Sequence, residues 1–460
     1  MPDAPRLIDA TLPEFGEPTV QPDIPGSVYR ARSVAALERA TARGFDALVV
    51  YGDREHAANV SYLTGYDPRF EETLLVLVPG RRASLFLGNE GWGYAELANG
   101  DFDRVLCQTF SLPGQPRDRH KPMEVLLAEA GLASGMRIGA VGWKVFSSED
   151  HGFTPEWLDI PAFIVDRLKA IGTVANATDI LMDAVDGLRT INEVDQLASF
   201  EFAATFASQA LRNVMFGLKP GITELAAARL MGLNGLPLSA HAMLSTGERA
   251  SRGLPSPSLK VMARGEPFTM CCGLQGGLSA RAGFLVADAG ELPAGIQDFV
   301  PKLASPYFAA VAEWYATVGI GTTGGELHAI IRRHLGDPFF GVELNPGHYI
   351  HIDEWMNSPV FAGSSIPLRS GMALQVDVIP ATGSPWFTTN IEDGIALADA
   401  ALREEFAARY PEAWGRITAR RSFMADVLGI VLKPEVLPFS NIPAYLPPFL
   451  LSPGKVLSLR

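Results

Sequence analysis

The most informative stretch of the chain is Asn345-Pro-Gly-His-Tyr-Ile-His-Ile-Asp-Glu-Trp355. It places His348 and His351 three residues apart, behind a Pro-Gly turn. Two segments with acidic residues follow, Gly371–Asp377 and Asn390–Gly394. A β-strand presents one polar side chain to a cavity when an acidic residue ends an apolar or alternating run. A histidine and two such acids predict an acid/base or metal-binding site. Taken alone, the histidine pair is more typical of ordinary core or surface positions.

The composition is that of a folded protein with two domains. The chain has 460 residues, of which 47% are hydrophobic and 19% are charged, so it is too long for one ordinary core. A net charge of -13 disfavours nucleic acid as a partner, because no basic face is available to follow phosphates. Three cysteines give no disulfide framework, and no apolar run has the length of a signal peptide or membrane span. We therefore expect a cytoplasmic protein with neither nucleic acid nor membrane as a partner.

Periodicity and turn residues divide the chain into four parts. The segment Asn59–Tyr66 is predicted as a short strand within the first domain, and Thr190 with Glu193 as a capping box that opens the long helix of the second. The parts are an N-terminal arm at 1–27, a small α/β domain at 28–187, a second domain at 188–432 and a Pro-rich strap at 433–460. The strap is expected to lie across the domain or a partner subunit.

Several segments, in this order, resemble the creatinase/aminopeptidase P/prolidase superfamily. Leu188–Glu193 resembles the start of the catalytic domain in that family, and Lys219–Glu224 its next turn. Gly347-His348 resembles its metal-binding histidine motif, and the strands with Asp377 and Glu392 resemble those of its two metal-binding glutamates. The resemblance implies an α/β N-terminal creatinase-type domain followed by an α+β pita-bread catalytic domain. It also implies a homodimer in which the N-terminal domain, near Arg69 or Phe70, walls the partner's cavity.

The chain departs from this family at the other metal-binding positions. The metallopeptidases carry two aspartate ligands on a hairpin, and these positions are predicted here at Met270 or Cys271 and at Arg281. The family's loop histidine has no counterpart near Gly253, and a second motif histidine falls near Trp355. The matched positions therefore keep one histidine and two acids, and they gain a guanidinium.

A guanidinium among the ligands would oppose a bound metal ion. Like charges about 4 Å apart repel by roughly 4 kcal/mol at an effective dielectric near 20, and a divalent ion is repelled more. Arg281 is instead a good partner for carboxylates, so we expect it to form an ion pair with Asp377 or Glu392. His348, Asp377 and Glu392 would still suffice for one zinc ion. The charge argument nevertheless predicts a site with no metal and no other cofactor.

Three functions are compatible with these residues. The first is a metal-independent, creatinase-like hydrolase or lyase that cleaves a C–N bond in a small polar molecule. The second is a metal-dependent Xaa-Pro dipeptidase or aminopeptidase, and the third is an inactive dimeric binding protein. In the first, His348 is the general acid/base, Glu392 and Asp377 orient it, and Arg281 binds a carboxylate or oxyanion. The residues expected near the substrate are Arg249, Arg252, His351, Glu354 and Cys272.

Overall fold

A computed structural model describes residues 4–460 of the chain. These residues form two compact units, which are discontinuous in sequence. The smaller unit comprises residues 23–190, and the larger comprises residues 4–22 together with 191–460. Strand β1 (Arg6–Asp9), which opens the described chain, therefore belongs to the larger unit. Within residues 4–460, no helix is both long and apolar enough to cross a membrane.

The smaller unit is built on a six-stranded mixed sheet flanked by helices. Its strand order is β5-β4-β3-β2-β6-β7. Every residue of the apolar strand β2 is buried, as expected for a central strand covered on both faces. In chain order the elements are α1 (Gly26–Ala42), β2 (Ala47–Gly52), α2 (Ala58–Thr64), β3 (Thr73–Leu77), β4 (Ala83–Leu87), α3 (Asn89–Tyr94), β5 (Phe102–Leu106), α4 (Met123–Glu129), β6 (Arg137–Val141), α5 (Ala162–Ile171), β7 (Thr173–Asn176) and α6 (Asp179–Met182).

The prediction of a strand at Asn59–Tyr66 is wrong, because this segment forms helix α2. All seven residues of α2 are buried, and a short run that is buried on every side has no periodicity to separate helix from strand. The helix ends at Gly65, whose φ of 70° is the left-handed conformation that commonly terminates helices.

The larger unit is an antiparallel sheet packed against the long helix α7. Its elements after β1 are α7 (Val194–Gly217), α8 (Glu224–Ala228), β8 (Leu238–Thr246), β9 (Pro267–Leu274), β10 (Gly277–Phe284), α9 (Ser305–Thr317), α10 (Gly324–Leu335), β11 (His348–Tyr349), β12 (Ala373–Asp377), β13 (Asn390–Leu397), α11 (Ala400–Arg409), α12 (Pro411–Phe423), β14 (Val436–Pro438) and β15 (Lys455–Ser458). The strands run β11-β12-β13-β10-β9-β8, with β14 added on β13. Leu197, Phe200 and Ala204 of α7 belong to the same buried core as Leu278 and Ala280 of β10.

The start of helix α7 differs from the prediction. Glu193 is the N-cap, with no side-chain cap, while Thr190 lies in a preceding turn and donates its hydroxyl to the Gly187 carbonyl. The predicted capping box is therefore wrong. A capping box does occur at α10, where Thr323 and Glu326 bond each other's backbone amides.

Residues 433–460 are part of the larger unit. Strand β14 pairs with β13, and β15 pairs with β1, so this Pro-rich segment contributes strands at both of its ends. Between them, the carbonyls of Ile442 and Tyr445 accept hydrogen bonds from the Arg281 side chain. The segment thus stabilises the sheet from which the candidate site is built.

Candidate active site and metal centre

A cavity of about 720 Å³ opens in the larger unit over one face of the sheet. One part of its wall is acidic and contains Glu354, Asp377 and Glu392. The remaining wall is largely apolar, and it includes Leu254 and Phe387. Polar groups gathered at one end of an apolar cavity are the usual composition of a small-molecule site.

Strand pairing brings the acids together with His348. Asp377 of β12 lies directly opposite Glu392 of β13, and opposite residues in an antiparallel pair share one face of the sheet. His348 of β11 lies opposite Gln375, two residues before Asp377, so it is placed beside the same face. Its Nε2 atom is 3.2 Å from Glu354 Oε1, 3.9 Å from Asp377 Oδ2 and 3.9 Å from Glu392 Oε1. The His348 side chain is fully buried.

The second nitrogen of His348 is oriented by the backbone. Nδ1 is 3.2 Å from the carbonyl oxygen of Tyr349, so Nδ1 carries the hydrogen and donates it. In the neutral imidazole, Nε2 would then present its lone pair to the acids. Trp355 covers the ring from one side, with the two centroids 4.2 Å apart and the planes 18° from parallel. His348 is therefore fixed in the orientation of a metal ligand or proton carrier.

Burial and crowding shift the ionisation of this cluster. Burial lowers the pKa of His348, but its contacts with Glu354 and Glu392 outweigh that effect and raise the pKa to about 10. Burial, with the neighbouring Glu354, raises the pKa of Asp377 to about 6. Burial, reinforced by the charge of Asp377, raises the pKa of Glu392 well above its usual range. The cluster thus has three carboxyl groups and one histidine, so its possible negative charge exceeds its positive charge. The protonated histidine is the cation nearest to the carboxylates.

Arg281 does not contribute to this cluster, so the prediction that it pairs with Asp377 or Glu392 is wrong. Its guanidinium binds Asp393, with Nη2 and Oδ2 2.6 Å apart and both side chains 1% exposed. Register explains the difference. Arg281 lies opposite Ile391, whereas Ala280 lies opposite Glu392. A shift of one residue moves a side chain to the other face of the sheet, so the Arg281 side chain is directed to Asp393, although Arg281 is among the residues that line the cavity.

The hairpin β9–β10 presents no carboxylate to the cavity. The residues that share the face of Glu392 are Thr269, Cys271, Ala280 and Ala282. All four line the cavity. The hairpin positions on this face therefore carry no acid, and the Arg281 guanidinium of the same hairpin binds Asp393.

The other predicted site residues are found in three kinds of environment. Glu354 is part of the acidic cluster, and Arg252 lines the cavity at an exposed position. Arg249 is held by the buried Glu224 in an ion pair, and His351 is buried edge-on against the Phe200 ring. Neither of these two residues lines the cavity.

Cys272 does not fit the predicted role of a substrate-binding thiol. It lies opposite Ser279, on the face of the sheet that turns away from the cavity. Burial raises the pKa of its thiol to about 12, so the thiolate is not formed near neutral pH. Its neighbour Cys271 lines the cavity instead.

Two features of the site were missed by sequence reasoning. Glu354 was assigned to substrate binding, although it is the acid closest to His348. It lies on a segment without regular structure, where no periodicity indicates the direction of a side chain. Asn390, two residues before Glu392 on β13, also lines the cavity and was not singled out. Its position in the alternation of β13 was the available signal, because residues i and i+2 of a strand share a face.

The residues present fit one divalent metal ion. One donor atom each from His348, Glu354 and Glu392 lie within 4.8 Å of one another. The His348 Nε2 and Asp377 Oδ1 atoms are buried without a hydrogen-bond partner among residues 4–460, although Nε2 lies within ion-pair distance of Glu354. One imidazole and several carboxylates form a normal ligand set for a catalytic divalent ion. Because the Arg281 guanidinium is paired with Asp393, the charge argument against a metal no longer applies.

Comparison with protein-family models finds no match. Among curated proteins, the chain is similar to "Uncharacterized peptidase YqhT" of Bacillus subtilis (strain 168). The two are 26% identical over 251 residues, which is 50% of this chain and 69% of that protein.

Comparison with solved structures identifies the fold. The Xaa-Pro dipeptidase from Bacillus anthracis matches with a TM-score of 0.60 at 15% identity, over 81% of this chain and 96% of that one. The prolidase from Pyrococcus horikoshii OT3 matches with a TM-score of 0.60 at 18% identity, over 80% of this chain and 95% of that one. The dipeptidase PepE from Mycobacterium ulcerans matches with a TM-score of 0.60 at 17% identity, over 94% of this chain and 99% of that one.

These relatives confirm the predicted fold class and support the prediction of a hydrolase-type enzyme. They contradict the predicted metal-independent, creatinase-like activity, because the proteins matched are peptidases, dipeptidases and prolidases. The geometry agrees with this correction, since the arginine on which that prediction depended binds Asp393.

Proposed function

From the premise that the chain has the pita-bread fold of the creatinase/aminopeptidase P/prolidase superfamily, we propose that it is a metal-dependent peptidase. Its proposed substrates are short peptides of the Xaa-Pro type. The names of the matched Xaa-Pro dipeptidase and prolidase refer to this class of peptide. The proposal is supported above all by the cluster of the buried His348, Asp377 and Glu392 with the half-buried Glu354, which has more negative than positive charge. Buried carboxylates in excess need a cation, and a divalent ion supplies it.

The proposed site holds one ion rather than two. His348, Glu354 and Glu392 would bind it, because their donor atoms are mutually close. The hairpin positions that face the cavity are Thr269, Cys271, Ala280 and Ala282, and they offer no second set of carboxylates. Such an ion supplies Lewis-acid activation of water and of the scissile carbonyl group.

Asp377 is the proposed proton carrier. Its Oδ2 atom is 3.9 Å from His348 Nε2, but it lies outside the set of three mutually close donors. Burial raises the pKa of Asp377 to about 6, and a bound cation would lower that pKa again. Asp377 is therefore deprotonated near pH 7 and able to accept a proton from the attacking water.

The cavity also suits the rest of a short peptide. Leu254 and Phe387 provide apolar surface for a side chain or a pyrrolidine ring. Arg252 lines the cavity and forms no ion pair with any residue of the described chain, so it is available for the C-terminal carboxylate.

We extend the proposal to the cellular compartment and the oligomeric state of the enzyme. The cysteines Cys107, Cys271 and Cys272 are free and buried, which suits a reducing compartment such as the cytoplasm. A homodimer also remains part of the proposal, on the strength of the family resemblance. Static light scattering on the full chain tests it, and a monomer at micromolar concentration contradicts it.

Metal analysis and peptide hydrolysis test the function together. The full chain is loaded with manganese, cobalt or zinc, dialysed and analysed for bound metal, and hydrolysis of Ala-Pro is then followed. We expect close to one ion per chain, and chelator-sensitive hydrolysis. His348→Ala should lose the ion and at least about 10²-fold in rate, because it removes a ligand.

A control histidine separates a specific effect from a general one. His334 lies on helix α10 and contacts Glu313, outside the cavity. His334→Ala should keep both the ion and the activity. Failure of the wild-type chain to retain any of the three metals contradicts the metal site, and metal retention without hydrolysis of short peptides contradicts the peptidase assignment.

A further inference from the structure

A second cavity, of about 370 Å³, lies in the smaller unit at the carboxyl ends of β4 and β5. These strands are parallel neighbours, and their last residues, Leu87 and Leu106, are paired. Leu106 lines this strand-end pocket, together with Asn89 and Gln108, each of which lies two residues beyond the end of its strand. The space beyond the carboxyl ends of parallel strands is where α/β sheets commonly bind ligands.

Buried hydrogen bonds fix the segment that forms one wall of the strand-end pocket. Gln108 is 3% exposed, and its Nε2 atom donates to Asn89 Oδ1 at 2.9 Å and to the Pro116 carbonyl at 3.0 Å. Its Oε1 atom accepts from the backbone N–H of Arg119 at 2.9 Å. The segment 116–119 is therefore held against the end of the sheet, and a wall that is already ordered loses less entropy when a ligand binds.

This segment brings two opposite charges to the strand-end pocket. Asp118 and Arg119 are consecutive in sequence, and both line the pocket with exposed side chains. Neither side chain forms an ion pair with another residue among 4–460. A carboxylate and a guanidinium presented together match a ligand that carries an ammonium group and a carboxylate group close to each other.

The opposite wall of the strand-end pocket is apolar. Trp92 and Leu106 both line it, and both are half-buried. Arg104 holds Trp92 in place, because its Cζ atom lies 4.7 Å from the centre of the Trp92 ring and its Nη1 atom donates to the Trp92 carbonyl at 2.7 Å. A ligand that fits both walls needs an apolar part beside its charged groups.

Gln115 adds an acceptor to the lining of the strand-end pocket. Its Nε2 atom donates to Glu90 Oε1 at 2.8 Å, which fixes the orientation of the carboxamide, because a carboxylate can only accept. Its Oε1 atom is buried without a hydrogen-bond partner among residues 4–460. A buried oxygen of this kind normally has a donor. An ammonium group has three N–H donors, which suffice for both Gln115 and Asp118.

We infer that the strand-end pocket binds a free α-amino acid with an apolar side chain. Arg119 binds the carboxylate of this ligand, and Asp118 with Gln115 Oε1 accepts from its ammonium group. The apolar side chain lies against Trp92 and Leu106. A volume of about 370 Å³ is at the lower end for ligand sites, which suits one amino acid better than a longer peptide. The inference goes beyond the proposed function, because the pocket contains none of the residues assigned to peptide hydrolysis.

Titration calorimetry on the full chain tests this site. A chelator is present, because the amine and carboxylate of an amino acid also bind metal ions. The ligands are L-phenylalanine, 3-phenylpropanoate, which lacks the ammonium group, and 2-phenylethylamine, which lacks the carboxylate. The wild-type chain should bind one molecule of L-phenylalanine. Each analogue should bind at least about tenfold more weakly, because it loses charge-assisted hydrogen bonds.

Two variants assign each charge of the pocket to one group of the ligand. Arg119→Met should weaken binding of L-phenylalanine at least about tenfold, but it should not weaken binding of 2-phenylethylamine, which has no carboxylate. Asp118→Asn should weaken binding of L-phenylalanine, but not of 3-phenylpropanoate, which has no ammonium group. Arg252→Met is the matched control, because it makes the same replacement in the larger cavity, and it should bind L-phenylalanine as the wild-type chain does.

Three results would overturn the inference. The first is the absence of saturable binding of L-phenylalanine at millimolar concentration. The second is binding that is lost in Arg252→Met and kept in Arg119→Met, which would place the amino acid in the larger cavity. The third is an equal weakening of all three ligands in Arg119→Met, which would show general damage rather than a contact with the carboxylate. Because the test measures no hydrolysis, failure of the proposed peptidase function would leave its result unaffected.

Discussion

When no metal ion is present, His348 carries the positive charge nearest to the three acids of the cavity. Its raised pKa, about 10, means that the imidazole is protonated at neutral pH and lies among Glu354, Asp377 and Glu392. A metal ligand must be neutral, so an ion that binds here has to displace the proton. Metal affinity should therefore rise with pH, because fewer protons compete for Nε2.

Asp377 gives a prediction about stability in the metal-free protein. The folded-state pKa is about 6, above the ordinary value of 3.8, so folding favours the protonated carboxyl group. The resulting stability is present below about pH 4 and is lost as the pH rises through 6. Asp377→Asn removes the ionisation and should stabilise the metal-free protein at pH 7.5 by about 2 kcal/mol. Urea unfolding in a chelator measures the difference, which should vanish at pH 4; an equal difference at both pH values contradicts this explanation.

At the scale of elements, the junction of β10, β13 and the C-terminal segment depends on one buried ion pair. Arg281 binds Asp393 and the carbonyl groups of Ile442 and Tyr445, while the backbone N–H of Ala444 donates to Asp393. Removal of one partner from a buried pair leaves an uncompensated charge, which costs more than the pair contributes. The pair therefore fixes how the segment after β14 meets the sheet.

Arg281→Met should consequently destabilise the protein by about 3–5 kcal/mol. The double variant Arg281→Met/Asp393→Asn should recover part of this loss, because no buried charge remains. Equilibrium urea unfolding of the wild-type chain, the two single variants and the double variant forms a double-mutant cycle, which gives the coupling energy of the pair. Arg264, which forms an exposed ion pair with Glu291, provides the control, and Arg264→Met should cost no more than about 1 kcal/mol. Similar losses for the two arginines would show that burial of the pair is unimportant.

The same elements show how far the sequence determines the site. The order of Gly347-His348 and the strands of Asp377 and Glu392 is enough to predict both the fold class and the meeting of these three side chains. The face that Arg281 occupies cannot be predicted from spacing, because it depends on the pairing of Ala280 with Glu392. Glu354 was predicted near the substrate, but its place beside His348 was not, because its segment has no repeating geometry.

At the scale of the whole molecule, the ligands of the proposed ion all belong to one of the two units. His348, Glu354 and Glu392 lie in the larger unit, and the smaller unit at 23–190 contributes no residue to this ligand set. A ligand stabilises only the unit whose folded state binds it. Metal should therefore act selectively on the unfolding of the larger unit.

Scanning calorimetry of the full chain tests this selectivity. With free metal at about 100 times its Kd, the transition of the larger unit should gain about 2.7 kcal/mol, while that of the smaller unit should not move. His348→Ala should abolish the shift. Equal displacement of every transition would indicate that the two units unfold as one, or that the ion binds elsewhere.

The pairing of β1 with β15 has a consequence for the synthesis of the protein. Arg6–Asp9 is translated before every other strand among residues 4–460, but its partner Lys455–Ser458 follows more than four hundred residues later. At about 5–20 residues per second, the nascent β1 waits tens of seconds on the ribosome with its edge unpaired. During that interval all residues of the unit at 23–190 have already left the ribosome and can fold. Translation that stalls before residue 455 leaves an exposed strand edge, which is a site for aggregation or for chaperone binding.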